Sequence, residues 1–161
     1  MNRPGLLSSA AQETPIPLDT LFNVANTVAL VGWIILALAP LRRGLVIVAA
    51  RCIAGALAVT YTVLLVQAVA SGGLGGDLTT LSGLTEGFSK PEAVLVGWVH
   101  YLAFDLWVGT WAIEDAGKRG VPHWAMLPVL FLTLMAGPVG LLTYLAVRAG
   151  LGRRHAPALT T

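Results

Sequence analysis

His100 and Asp105 lie inside an apolar stretch, GWVHYLAFDLWVGTWAIED (97–115), that is long enough to cross a bilayer and ends on Glu114 and Asp115. An ionisable side chain in lipid is costly, roughly 2.5–3.5 kcal/mol for Asp at the centre of an inserting helix. Both groups are therefore expected to face a protein interior or a wet cavity, and the chemistry they suit is proton transfer. An apolar cavity favours the neutral form of a carboxyl group, so Asp105 would serve as an acid. Neutral His100 is the natural base near physiological pH. Five positions separate the two, roughly 140° around a helix, so only a wide interhelical cavity would touch both. Tyr101 sits one turn from Asp105 and can hydrogen-bond to it. Tyr144 or Asn26 could hold a developing alkoxide, and Phe104, Trp107 and Trp33 offer aromatic faces to a polyene or a cation. No metal and no cofactor is expected. The spacing matches no Glu-x-x-His pattern, and His100 is the only histidine at depth, so a bis-histidine haem would need a second chain.

Hydropathy fixes the helices that carry these side chains. Of the 161 residues, 56% are hydrophobic and 11% charged, and mean hydropathy is +0.77. A soluble domain carries roughly 25% charged residues, so the chain reads as an integral membrane protein whose partner is the lipid bilayer. The net charge of +2 comes from arginines in loops, with no long basic run to bind nucleic acid. Cys52 stands alone, which leaves no intrachain disulfide.

Four apolar segments predict an all-α bundle of four transmembrane helices, at about 18–39, 45–70, 93–113 and 124–147, within a membrane domain of 18–148. Residues 1–17 read as a flexible tail without a signal-peptide core, and 149–161 as a basic tail. Asp19 or Thr20 is expected to cap the first helix, and Pro91 with Glu92 to open the third. Loop 71–92 is glycine-rich and long enough to hang free or fold back as a lid.

Helical spacing puts Asn23, Asn26 and Trp33 on one face, and Thr133, Gly137, Gly140, Tyr144 and Arg148 on another. Pro138 has no N–H and crowds the carbonyl of Leu134, so the fourth segment should kink or open there. Structural roles compete with these readings. Asp105 could simply pair with Arg51 or Arg148, Glu114 and Asp115 could be solvated, and Trp98, Trp111 and Trp124 fit an interfacial belt. With four crossings, Lys and Arg divide five against five between the two sides. Arg3, far from its helix, counts for less, which places both termini outside.

Three blocks, FNVANTVALVGWIILALAP (22–40), GWVHYLAFDLWVGTWAIED (97–115) and PVLFLTLMAGPVGLLTYLAVR (128–148), together resemble the abscisic-acid-deficient-four-like family. Its plant members are neoxanthin synthases of plastid membranes. The resemblance implies a small polytopic protein that isomerises an epoxide to an allenic alcohol without redox change. The positions it covers include Asn23, Asn26, Trp98, His100, Asp105, Asp115, Gly137, Pro138, Gly140, Tyr144 and Arg148. The chain lacks a long Ser-rich transit extension and so looks like a bacterial relative, expected in the inner membrane. The resemblance thus implies an epoxide- or polyene-isomerising function more firmly than one exact substrate.

On this reading Asp105, His100 and Tyr144 are the candidate catalytic residues. Asn23, Asn26, Trp33, Tyr101, Phe104, Trp107, Gly137, Pro138 and Arg148 are the candidate contacts to a hydrophobic carotenoid or isoprenoid. Two other readings stand beside catalysis: a carotenoid, retinoid or quinone binder, and a small proton-coupled transporter suggested by Asp105, His100 and the interrupted last segment. Four helices make a thin wall around a large ligand, which a homodimer would thicken.

Overall fold

A computed structural model describes residues 16–72, 75–77 and 79–152. Most of the two expected tails therefore lies outside the described residues. Six helices and no strand occur among those residues: α1 (Leu18–Ala37), α2 (Arg43–Ala70), α3 (Leu81–Gly87), α4 (Pro91–Lys118), α5 (His123–Met135) and α6 (Gly137–Leu151). Three of them, α1, α2 and α4, are long and apolar enough to cross a membrane. The protein is an all-α membrane protein, and α4 is its axis, packed against α1, α2, α5 and α6.

Small residues set that packing. Lipid supplies no hydrophobic force between helices, so close van der Waals fit must hold them together. Helix α1 buries Ala25, Ala29, Gly32, Trp33 and Leu36 along one face, and α2 buries Ile47, Ala50, Ala54 and Leu57. The α1–α4 seam interlocks twice. A Cβ on Gly32 would come within 2.6 Å of Leu106, and one on Gly109 within 2.9 Å of the Trp33 ring. The outward faces carry Val24, Leu30, Val31 and Ile34 on α1 and Val59, Val63 and Val66 on α2, all exposed and suited to acyl chains.

Helix ends depart from the sequence expectation for local reasons. Pro17 stands at the start of α1 with no side-chain cap, and Asp19 lies in the first turn instead. An acid there still meets the positive end of the helix. Pro91 and Glu92 occupy the first turn of α4. The far end of α4 runs past Ile113 to Lys118, because Glu114 and Asp115 pair with Lys118 and Arg119 one turn on, at 2.7 and 2.8 Å.

The fourth apolar segment does not form one span. It breaks at Ala136, whose φ of −157° and ψ of 75° leave the helical region. Helix α5 has 13 residues and α6 has 15, about 20 and 22 Å at 1.5 Å per residue, against a hydrocarbon core of about 30 Å. The two halves double back. Helix α5 starts beside the end of α1, where the His123 Nε2 lies 2.9 Å from the Ala37 carbonyl. The break lies at the level of Asp105, whose carboxyl a Cβ on Gly137 would strike. Helix α6 then runs parallel to α4, so that Arg148 meets Asp115 and Gly152 reaches Arg119. The segment is a hairpin that enters and leaves by one end of the bundle, and Ile16 and Gly152 lie at opposite ends. The placement of both termini on one side is thereby overturned for the described chain. Gly140 permits the reversal: a Cβ there would fall on the backbone of Thr133, so the site has no room for a side chain.

Candidate functional site

The tip of the hairpin meets α4 near the middle of that helix, since Asp105 stands 14 residues from Pro91 and 13 from Lys118. Tyr101 and Asp105, one turn apart, both face the tip. The Gly137 N–H donates to the Tyr101 hydroxyl at 3.4 Å, and the Asp105 carboxyl fills the space that a side chain at 137 would take. Asp105 Oδ2 is buried without a hydrogen-bond partner. The cations proposed for it are engaged elsewhere: Arg51 pairs with Glu114 and Arg148 with Asp115 at 3.3 Å. A lone carboxyl group at mid-depth, beside a phenol and the start of a half-helix, suits a group that holds and passes a proton.

Tyr101 also belongs to a cavity on the other side of α4. This space of about 640 Å³ lies between α2, α3 and α4, walled by Tyr61, Leu65, Leu84, Phe88, Trp98, His100 and Tyr101. His100 faces it, edge-on to Tyr61 at 5.1 Å and stacked on Phe104 at 4.5 Å. The Tyr101 ring stacks on Trp98 at 5.7 Å. His100 and Asp105 thus occupy different faces of α4, as their spacing requires, and Tyr101 is the side chain that reaches both the cavity and the surroundings of Asp105.

The roof of the cavity comes from Gly75, Leu84, Gly87 and Phe88, in a segment folded back by contacts between glycines. Gly76 has a φ of +91° and abuts Gly83, and Gly87 abuts the Gly75 carbonyl. Side chains at these positions would hold the strands of the loop apart. The Lys90 ammonium donates to the Gly72 carbonyl at 3.0 Å. Asp77 accepts from the Thr79 hydroxyl at 2.7 Å and from its N–H at 2.9 Å, and these bonds hold its carboxyl below the ordinary carboxylate range. Phe88 then lies over Gly97, where a Cβ would stand 2.9 Å from its ring.

Tyr144 is elsewhere. It is fully buried, donates to Asp115 at 2.5 Å and meets Trp111 edge-on. Asp115 also accepts from Arg119 and Arg148. This cluster ties α6 to α4 about 15 Å along the helix from Asp105, ten residues at 1.5 Å each. Glu114, bound by Arg51 and Lys118, likewise belongs to an ion-pair network.

The remaining candidates are dispersed. Asn26 accepts from the Trp98 indole at 3.1 Å, which fixes one wall of the cavity. Asn23 is exposed and its carbonyl accepts from the Thr27 hydroxyl. Trp33 is packed in the core. Phe104 and Trp107 are exposed, with the Arg51 guanidinium 5.5 Å from the Trp107 ring. Pro138 is exposed in the first turn of α6. Tyr61 and Phe88 were missed by the sequence reading. Tyr61 is the lone aromatic of α2, and Phe88 the lone aromatic of the glycine-rich loop, a signal that this loop packs on something apolar. No group of three His, Cys, Asp or Glu side chains gathers among the described residues.

The family model described as ABA DEFICIENT 4-like matches residues 20–144, a span that includes the cavity, Asp105 and the hairpin tip. No curated protein and no solved structure matches the chain.

Proposed function

The chain belongs to the ABA DEFICIENT 4-like family, and on that footing we propose that it is a membrane-embedded carotenoid- or isoprenoid-modifying protein, an isomerase acting on an epoxide or polyene without redox change. The observation that carries this reading is the apolar cavity of about 640 Å³ with His100 and Tyr101 in its wall. Its size is that of a typical ligand site, enough for an epoxidised end ring and part of the chain. The remainder of a polyene would lie along the exposed aromatic face of Phe104 and Trp107.

The roles follow from position. The Tyr101 hydroxyl gives its proton to the epoxide oxygen and is resupplied by Asp105. The carbon–oxygen bond nearer the polyene breaks, its electrons remaining on the oxygen, which becomes a hydroxyl group. His100 takes the proton from the neighbouring vinylic carbon, and that electron pair completes the allene. One proton enters and one leaves, so product and substrate are isomers. Asn26 acts through Trp98, as a positioning residue.

The test is a pigment profile from bacteria engineered to accumulate violaxanthin and expressing the chain, Asp105→Asn or Tyr101→Phe. An allenic product of unchanged mass is expected from the parent chain, absent with Tyr101→Phe and diminished with Asp105→Asn. An unchanged profile from folded parent protein would reject violaxanthin as the substrate. Full activity in Tyr101→Phe would reject the acid, and full activity in Asp105→Asn would reject its resupply. Unaltered pigment that co-purifies with the protein would favour binding without chemistry, the second reading that the cavity supports.

A further inference from the structure

The hairpin changes the charge balance across the membrane. A straight fourth crossing would carry Arg148 away from the other arginines, whereas α6 brings it back to the end where α4 finishes. That end holds Arg42, Arg43, Arg51, Lys118, Arg119 and Arg148 among the described residues, and the opposite end holds Lys90 alone. Six cations face one, where four crossings would divide the same residues five against two. The acids run the other way. Asp19, Asp77, Glu86 and Glu92 lie at the Lys90 end, against Glu114 and Asp115 at the basic end. Lys and Arg in short loops and near helix ends are retained on the cytoplasmic side and attracted to its anionic leaflet.

We infer that the chain inserts with its basic end, comprising the α1–α2 turn, the α4–α5 turn and the mouth of the hairpin, against the anionic lipid headgroups of the cytoplasmic leaflet. The start of α1 and the α3 loop then face the opposite side. The cavity lies in that outer half of the bundle, because its α4 wall runs from Ala93 to Tyr101, before the midpoint at Asp105. An apolar ligand therefore enters from the non-cytoplasmic leaflet. This last step rests on the proposed function, whereas the orientation stands on helix ends and charge alone.

Cysteine labelling in intact bacterial cells tests the orientation separately from any activity. Cys52 is exposed and is first replaced by Ala. Single cysteines then go to Ser82 on α3, to Leu41 in the α1–α2 turn and to Gly150 near the end of α6, where a Cβ meets nothing within 4 Å. A membrane-impermeant maleimide is expected to label Ser82→Cys in intact cells, and Leu41→Cys and Gly150→Cys only after lysis. The reverse pattern overturns the orientation. Labelling of Gly150→Cys together with Ser82→Cys, and apart from Leu41→Cys, overturns the hairpin and the charge count with it. Should a variant fail to accumulate, the otherwise unaltered chain fused at its C-terminus to green fluorescent protein decides the matter. Fluorescence is expected, and a full-length but dark fusion overturns the proposal.

Discussion

Gly140→Ala tests the elbow of the hairpin. At Gly140 an added Cβ would fall on the N and Cα of Thr133 as well as its hydroxyl. Two of these atoms are backbone, so no rotamer change relieves the collision. Overpacking a tight site costs typically 1–3 kcal/mol, and an obstruction by backbone belongs at the upper end, about 3 kcal/mol. Replacing a helical glycine recovers roughly 0.5–1 kcal/mol of chain entropy, leaving a net loss of about 2 kcal/mol. At roughly 2–4 °C per kcal/mol for a chain of this size, the melting midpoint should fall by about 4–8 °C. Thermal unfolding in detergent, followed by far-UV circular dichroism, reads the shift. Gly55→Ala is the control, because nothing lies within 4 Å of a Cβ there in the middle of α2. It gains the chain-entropy term alone and should raise the midpoint by about 1–4 °C. A Gly140→Ala protein that melts with or above the parent, as Gly55→Ala does, would mean that α5 and α6 do not fold back on each other.

Three further outcomes follow from the contacts. Asp115→Asn leaves Arg119 and Arg148 facing a neutral amide. Because both arginines are partly exposed, the loss should be about 1–2 kcal/mol rather than the 3–5 of a fully buried pair, read from the same melt. A double-mutant cycle of Asn26→Leu with Trp98→Phe should return a coupling of about 0.6 kcal/mol, and no more than about 1.7, for their bond across α1 and α4. Asp77 lies outside the spanning helices, and its carboxyl is held low by Thr79. The order it lends the loop is present above the ordinary carboxylate range and lost as pH falls through its lowered value. Hydrogen exchange at the Thr79 amide should therefore stay slow through mildly acidic pH and accelerate only below that range.

The three long helices were legible because each is an apolar run bounded by Pro, Gly or charge. That Tyr101 and Asp105 share a face of α4 was legible because one turn separates the two, and the same geometry foretold that His100 would face another way. The kink at Gly137–Pro138 was visible as well, but its angle was not. A hydropathy sum is the same whether residues 123–151 run straight or double back, and the contacts that decide between them lie elsewhere: Thr133 against Gly140, and Asp115 holding Tyr144 and Arg148. The extension of α4 could have been read, since Lys118 and Arg119 stand four residues after Glu114 and Asp115. Tyr61 and Phe88 come from elements brought to α4 by tertiary packing, and no local pattern joins them to His100.

The doubled-back segment also bears on how the protein is made. Straightened, its 29 residues from His123 to Leu151 would reach about 43 Å, more than the hydrocarbon core of about 30 Å. As it leaves the ribosome the segment thus meets the length requirement for an ordinary membrane-spanning helix. What turns it back is α4, which has already been synthesised and carries Asp105 and Asp115 at the depths where the tip and the return helix dock. The first three spans act as a template for the hairpin, and a chain from which α4 alone is deleted would lack the surface against which the C-terminal segment reverses.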